Sequence, residues 1–237
     1  MDEAVEAPGM VADEKSARER GTSAAGVETP EARTTSQASS APATSSALLQ
    51  KTTEVRWYVG IPFCGKTWLA KKHLGELVSA TGWPALILDS IGEQTLQAWP
   101  HARSMREAIE WVWGAGQHAT YIPRSLDEVE ALARACCDPG GVNLFIDESH
   151  SWLGACSRES PLLTLMRTRR HARANILMTT QHYTGDIPHE ARSCAPRTYV
   201  FRCTDTAVLD ALRKEGLDIS RIPNLPPREY IEHYRGF

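Results

Sequence analysis

Apolar residues along this chain fall in short blocks, separated by stretches where they recur every three or four positions. The blocks are VRWYVG (55–60), ALILD (85–89), ATYIP (119–123), VNLFID (142–147), NILMTT (175–180) and TYVFRC (198–203). Each is too short for a buried helix and rich in Val, Ile, Tyr or Thr, so each predicts a strand. They do not alternate cleanly with polar residues, so both faces of the sheet are expected to be covered. The helix-period stretches predict helices over 66–80, 104–113, 161–170 and 205–214, with a further helix opening at Ser125. Ser104 with Glu107, and Ser125 with Glu128, have the spacing of N-terminal capping pairs. Thr81-Gly82 is a stop signal for the first helix. Regular alternation of strands with helices predicts an α/β fold with a mainly parallel central sheet.

The texture changes near residue 54. The first 50 residues contain no Phe, Trp or Tyr, and carry eight acids and four bases among Ala, Ser, Thr and Pro. Such a segment has too little apolar surface to offset the entropy of ordering. The expected organisation is a disordered tail over 1–53, in the simplest case a tether, and one domain over 54–237. Of the 237 residues, 42% are hydrophobic, enough for a core, and the formal net charge is -3. Beyond residue 50 there are 22 basic and 21 acidic residues, so charge gives no signature of nucleic-acid binding.

No run approaches the 18 or so consecutive apolar residues of a membrane span. The start MDEAVEAPGM lacks the basic and apolar regions of a secretory signal, and its acids argue against a transit peptide. The six cysteines show neither C-x-x-C nor zinc spacing, which predicts reduced thiols and a cytoplasmic protein. The seven tryptophans predict packing rather than base-stacking platforms. Trp111 and Trp113 cannot share one face of a helix, so one of them is expected at a subunit contact.

Candidate chemistry begins where the first strand ends. Gly60-Ile61-Pro62-Phe63-Cys64-Gly65-Lys66-Thr67 fits G-x-x-x-x-G-K-[ST] at every fixed position. The glycines let the backbone turn so that consecutive N–H groups face phosphate oxygens, and the following helix N-terminus adds positive potential. Lys66 then reaches the β- and γ-phosphates, and the Thr67 hydroxyl ligates Mg²⁺. Trp68 completes the candidate nucleotide-binding set. The competing reading is a glycine turn that carries an incidental lysine. Cys64 reads as a small filler, or as a thiol whose pKa the helix N-terminus lowers.

Two acids follow the most apolar strand. Asp147 is placed to hold the Mg²⁺ shell, and Glu148 to act as general base toward water. The pair points to hydrolysis rather than transfer to a small acceptor, which makes a small-molecule kinase the weaker reading. NILMTTQ (175–181) ends on Thr179-Thr180-Gln181, polar groups that can contact the γ-phosphate or the lytic water. Ahead of it, MRTRRHARAN (166–175) gathers Arg167, Arg169, Arg170, His171 and Arg173. An arginine presented to a neighbouring subunit's γ-phosphate would neutralise transition-state charge. A solvated basic loop explains the same residues. His150, close behind the acid pair, reads as a structural or hydrogen-bonding residue.

Taken in order, GIPFCGKT, ILDSIGE (87–93), FIDE (145–148), the arginines and TTQ resemble the FtsK/HerA superfamily of P-loop ATPases, in the division with an added strand between the two nucleotide motifs. TGDIP (184–188) and IPNLPPREYI (222–231) lie where similar segments occur in that superfamily. The resemblance spans about residues 55–231. It implies a three-layer P-loop NTPase fold of the catalytic-glutamate type, with ATP and Mg²⁺ as cofactors. It assigns phosphate and metal binding to Lys66 and Thr67, hydrolysis to Asp147 and Glu148, and γ-phosphate sensing to Gln181. It makes Arg170 the trans-acting arginine, with Arg169 and Arg173 as alternates, and leaves the role of Asp89 open.

Members of the superfamily typically work as rings, often hexamers, that pump DNA or a polypeptide-linked substrate. This chain shows no barrel domain ahead of the ATPase, no membrane segment and no winged helix after it. In that it is most similar to the genome-packaging ATPases of tailless, membrane-containing viruses. The expected function is an ATP-driven DNA translocase or packaging motor. DNA, further copies of the chain, and capsid or membrane vertex proteins are the expected partners, and host cytoplasm or virion the location. Arg103, Arg106 and the 167–173 cluster are candidates to face DNA. The alternative is a non-motor NTPase switch, or a phage assembly or export ATPase that acts through protein partners. In that case the acidic tail would be the partner segment.

Overall fold

The computed structural model describes residues 53–90, 92, 99–137 and 141–236. The expected tail lies outside these residues apart from Thr53, and ILDSIGE is described only in part.

Seven strands form one sheet. They are β1 (Val55–Val59), β2 (Ala85–Leu88), β3 (Ala119–Tyr121), β4 (Val142–Ile146), β5 (Ala174–Thr180), β6 (Arg197–Val200) and β7 (Ile231–Tyr234). Their spatial order is β3-β2-β4-β5-β1-β6-β7. The pairings among β1 to β6 are parallel, and β7 closes the edge antiparallel to β6. Strand β5 therefore lies between β1, which feeds the glycine loop, and β4, which ends on the two acids. This is the added strand of the resemblance.

Both faces of the sheet are buried, as the unalternating strands predict. On one face Tyr58, Ile87, Phe145 and Leu177 pack with Leu69, Leu74 and Leu77 of helix α1 (Lys66–Thr81). On the other, Trp57, Leu144, Ile176 and Met178 pack with apolar residues of further helices, among them α3 (Leu126–Cys136), α5 (Pro161–Ala172) and α7 (Thr206–Lys214). The result is three layers. Neighbours along a strand bury in opposite cores because Cβ directions alternate.

The local signals act as expected. Glu107 N–H donates to Ser104 Oγ at 3.2 Å, at the start of α2 (Met105–Ile109). Glu128 N–H donates to Ser125 Oγ at 3.4 Å, ahead of α3. Gly82, at φ 67°, ends α1 with its N–H on Val78 O.

Helix α2 is shorter than expected. It passes into a π-helical turn, Glu110–Gly114, where Ala115 N–H reaches back to Glu110 O at 2.9 Å. The wider turn re-aims its side chains. Trp111 and Trp113 both end half-buried against the same core, so neither is the exposed residue the sequence led us to expect. Two short helices, α4 (His150–Leu153) and α6 (His189–Ser193), and strand β7 have no counterpart in the sequence reading. Cys64, Cys136, Cys156, Cys194 and Cys203 are unbridged. Among the described residues no helix is long and apolar enough to cross a membrane.

Candidate functional site

The site forms at the C-terminal ends of β1, β4 and β5, where open α/β sheets bind ligands. Loop 60–65 leaves β1 and turns into α1. Gly60 N–H donates to Thr180 O and Ile61 N–H to Arg202 O, so the neighbouring strand ends hold the loop. A Cβ on Gly60 would lie 2.8 Å from Phe201 Cβ, closer than packing allows. Gly65 adopts φ 110°, a conformation that suits only glycine. Both glycines of the motif therefore have a steric reason.

Lys66 is the first residue of α1 and is 4% exposed. Its Nζ donates to Ile61 O at 2.9 Å, spanning the loop, and lies 4.0 Å from Glu148 Oε1. Thr67 Oγ1 donates to Asp147 Oδ1 at 3.3 Å. Thr179, buried at the end of β5, binds both acids. Its Oγ1 donates to Asp147 Oδ1 at 2.6 Å and accepts the Glu148 N–H at 2.8 Å. Glu148 itself turns back at φ 44°, which swings its side chain toward Gln181.

Gln181 Nε2 donates to Glu148 Oε1 at 3.0 Å. On the other side, His150 Nδ1 lies 3.3 Å from Glu148 Oε2. That oxygen is buried and accepts no hydrogen bond among the described residues. Burial holds the His150 ring below its ordinary pKa, against the upward pull of Glu148. The His150 ring also meets His182 edge-on, with centroids 4.7 Å apart. The hydrogen-bond contact of His150 is with Thr180, whose Oγ1 lies 3.5 Å from its Nδ1.

Loop and acids face one cavity of about 1020 Å³. Phe63, Gly65, Lys66, Thr67, Trp68, Asp147, Glu148 and Gln181 all line it. Cys64 is 2% exposed, and burial pushes its pKa up rather than down, which suits the small filler rather than the thiol of lowered pKa. Asp89 is buried at the end of β2 and accepts the Gly92 N–H at 2.8 Å.

The donor set suits Mg²⁺. A hydroxyl and a carboxylate, Thr67 and Asp147, already converge, and Mg²⁺ is commonly held by one or two such oxygens plus substrate phosphates. Among the described residues no group of three or more His, Cys, Asp or Glu could hold a metal ion.

Arg170 is not brought to this site. It is exposed on the last turn of α5, at the opposite end of β5 from Gln181, on the order of 20 Å of strand away. It makes no hydrogen bond or ion pair among the described residues. Its neighbours differ. Arg169 donates to Met166 O, Arg167 to Leu163 O, and the Arg173 guanidinium lies over the Trp83 ring.

One site residue was missed from sequence. Arg228 lines the cavity, and its N–H donates to Cys64 O at 2.8 Å. Its guanidinium lies 5.8 Å from the centre of the Trp68 ring. The only sequence signal is its place within IPNLPPREYI.

No family profile and no curated protein matches the chain. Solved structures do. The genome-packaging NTPase B204 from Sulfolobus turreted icosahedral virus 2, in complex with ATP-gammaS, is similar over 76% of this chain and 92% of that one. The identity is 18% and the TM-score 0.64. B204, the DNA-packaging ATPase from Sulfolobus turreted icosahedral virus, is similar over 78% and 93%, at 15% identity and TM-score 0.60. EssC (ATPases 2 and 3) from Geobacillus thermodenitrificans covers 78% of this chain with 38% of its own, at 8% identity and TM-score 0.52. The fold is that of a P-loop NTPase. It fits the superfamily resemblance carried by GIPFCGKT, FIDE and TTQ.

Proposed function

We propose that this chain is a Mg²⁺-dependent ATPase that translocates or packages DNA, working as a ring in which Arg170 reaches a neighbour's nucleotide. The observation that carries the ATPase part is the contact of Gln181 with Glu148, 3.0 Å long, beside a Lys66–Thr67 loop and the Asp147 carboxylate. A phosphate cradle, a metal-binding oxygen pair and a held general base meet in one cavity.

The hydrolytic step follows from these positions. The loop N–H groups and Lys66 bind the β- and γ-phosphates. Thr67 and Asp147 would hold Mg²⁺, which when bound neutralises phosphate charge. Glu148 takes a proton from water as the water oxygen attacks the γ-phosphorus. The bond from the γ-phosphorus to the β–γ bridging oxygen breaks, and ADP leaves with its electron pair. Gln181 fixes the Glu148 carboxylate and can sense the γ-phosphate. An arginine supplied in trans stabilises the transition state by about 10³–10⁵ in rate. Arg170 suits that role because it is exposed, unpartnered within the described residues and remote from its own chain's site.

The DNA part rests on the sequence resemblance and on the fold shared with a viral packaging ATPase. Arg103 and Arg106 are exposed and are available to phosphates. Capsid or vertex proteins would be the docking partners, in the host cytoplasm or the virion. The nearly balanced charge beyond residue 50 favours a second reading, an NTPase switch or export ATPase that acts through protein partners.

One experiment separates them: ATP hydrolysis with and without double- and single-stranded DNA, beside Lys66→Ala. Stimulation by DNA, abolished in the variant, is the result expected of a motor. Hydrolysis indifferent to both DNAs would transfer the reading to a protein-partner switch. A wild type that binds no nucleotide would end the ATPase reading.

A further inference from the structure

We propose that Phe63, Trp68 and Arg228 form a nucleobase clamp, which holds the base of a nucleoside triphosphate by stacking and does not read which base it is. The inference rests on the phosphate-site reading above and adds the other half of the nucleotide.

The chemistry of the site sets the direction. Asp147, Glu148 and Gln181 stand at the ends of β4 and β5, so the γ-phosphate end lies there. The base end lies away from them, along the first turn of α1. At that end the cavity wall changes character. Phe63 is 99% exposed and Trp68 49% exposed. Phe63 also sits at φ 58°, an outlier for a bulky side chain. Backbone strain of this kind persists where the surroundings impose it and clusters at ligand clamps.

Arg228 is delivered to the same place by its backbone. Its N–H holds Cys64 O, and its Cα lies 3.2 Å from where a Cβ on Gly65 would stand. The C-terminal segment is therefore anchored on the phosphate loop itself. From that anchor the guanidinium reaches the Trp68 ring, and all three side chains line the cavity that also holds Lys66 and Thr67.

Aromatic rings and guanidinium planes accept any base, because every base has a π-face. Reading a base by its edge takes placed hydrogen-bonding groups, and a site built that way rejects analogues strongly. Among the described residues lining the cavity, the side-chain acceptors are Thr67, Asp147, Glu148 and Gln181, all assigned above to phosphate, metal or water. Beyond Lys66, the remaining polar side chains, Trp68, Lys71, Lys72 and Arg228, only donate. Donors suit N7 of either purine and leave the adenine amino group without a partner, so nothing in this lining selects adenine over guanine.

The test is calorimetric binding of ATP, GTP and inorganic tripolyphosphate, each with Mg²⁺, to the full chain and to Phe63→Ala, Trp68→Ala, Trp68→Phe and Arg228→Ala. Thermal melts check that each variant is folded. Wild type should bind ATP and GTP within about threefold of each other, and both about tenfold or more tighter than tripolyphosphate. Phe63→Ala and Trp68→Ala should lose most of that advantage while binding tripolyphosphate as before, Arg228→Ala should lose it beyond the general weakening that removal of one cation gives all three ligands, and Trp68→Phe should keep it.

A gap between ATP and tripolyphosphate that survives in folded alanine variants would overturn the clamp. So would equal binding of the two by wild type. A large preference for ATP over GTP would overturn the lack of base reading. If Phe63→Ala changes the oligomeric mass and leaves the gap intact, Phe63 belongs to a subunit contact and the clamp is wrong. Failure of the underlying phosphate site looks different: wild type then binds none of the three ligands, or Lys66→Ala binds tripolyphosphate as well as wild type does.

Discussion

Gln181 and Glu148 are 33 residues apart in sequence, and the amide of one donates to the carboxylate of the other at 3.0 Å. They meet because β5 lies directly beside β4, so the two strand ends stand side by side. A general base works only when held within a fraction of an ångström of its task, and an error of about 1 Å can cost about 10²-fold in rate. Gln181→Ala should therefore slow single-turnover hydrolysis by about 10–100-fold and leave ATP affinity within about twofold of wild type. A variant that lost affinity and kept its rate would show that Gln181 binds nucleotide rather than positioning the base.

Thr179 should matter for stability as well as rate. Its buried hydroxyl serves Asp147 and the Glu148 N–H together. Valine keeps the shape and removes both bonds, which leaves the buried Glu148 N–H unsatisfied and Asp147 with one hydrogen bond fewer. Thr179→Val should cost about 1–3 kcal/mol in urea unfolding, and Thr179→Ser much less. Equal stability of the two variants would show that the hydroxyl contributes nothing measurable.

Arg170 should be needed by a neighbour and not by its own chain. Arg170→Ala should bind ATP normally, keep its stability within about ±0.5 kcal/mol of wild type, and hydrolyse about 10³-fold more slowly or worse. Mixing it with a Glu148→Gln chain, also inactive, should restore activity, because some contacts then pair an intact Arg170 with an intact Glu148. No recovery in mixed assemblies would point to another arginine or to action within one chain.

Acid should weaken the fold through His73. Its Nδ1 meets Tyr58 Oη at 2.8 Å, and burial, then Arg56 and Lys72, lowers its pKa to about 4. An ordinary unfolded histidine titrates near 6.5. Between those values the unfolded chain binds the extra proton, so stability rises with pH there. The contribution is complete above about pH 6.5 and is lost as pH falls toward 4. Because the ring is only partly buried, the loss should be about 1–2 kcal/mol, and smaller in His73→Gln. Thermal melts from pH 7.5 to 4.5 on both chains would check it; parallel curves would exclude His73 as the source.

Much of the fold was legible because it is written locally. A run such as VNLFI is apolar at nearly every position, and the structure buries all five residues of β4. Ser104 and Ser125 cap the helices they precede because a cap needs only its own next three residues. β7 was not legible for the opposite reason. Ile231, Glu232, His233 and Tyr234 alternate between half-buried and exposed, so an edge strand reads as polar loop until it has a partner. The π-helical turn at Glu110–Gly114 was hidden too, since its sequence is ordinary helix; in the structure both tryptophans beside it pack on one core.

The candidate site divides along the same line. The sequence alone determined the contiguous chemistry: the loop from Gly60 to Thr67, the acids at a strand end, and a polar strand end at Gln181. Spacing of a few residues is enough to specify a phosphate cradle, because the backbone itself binds. The tertiary structure alone decided that β5 separates β1 from β4, and that Thr179 bonds both acids. It also placed Gln181 and His150 on either side of Glu148, and carried Arg228 from the far end of the domain to the glycine loop. Each of these joins residues from distant parts of the chain. Such contacts exist only after the sheet order is set, and burial of both faces sets that order through the whole domain rather than through any short segment.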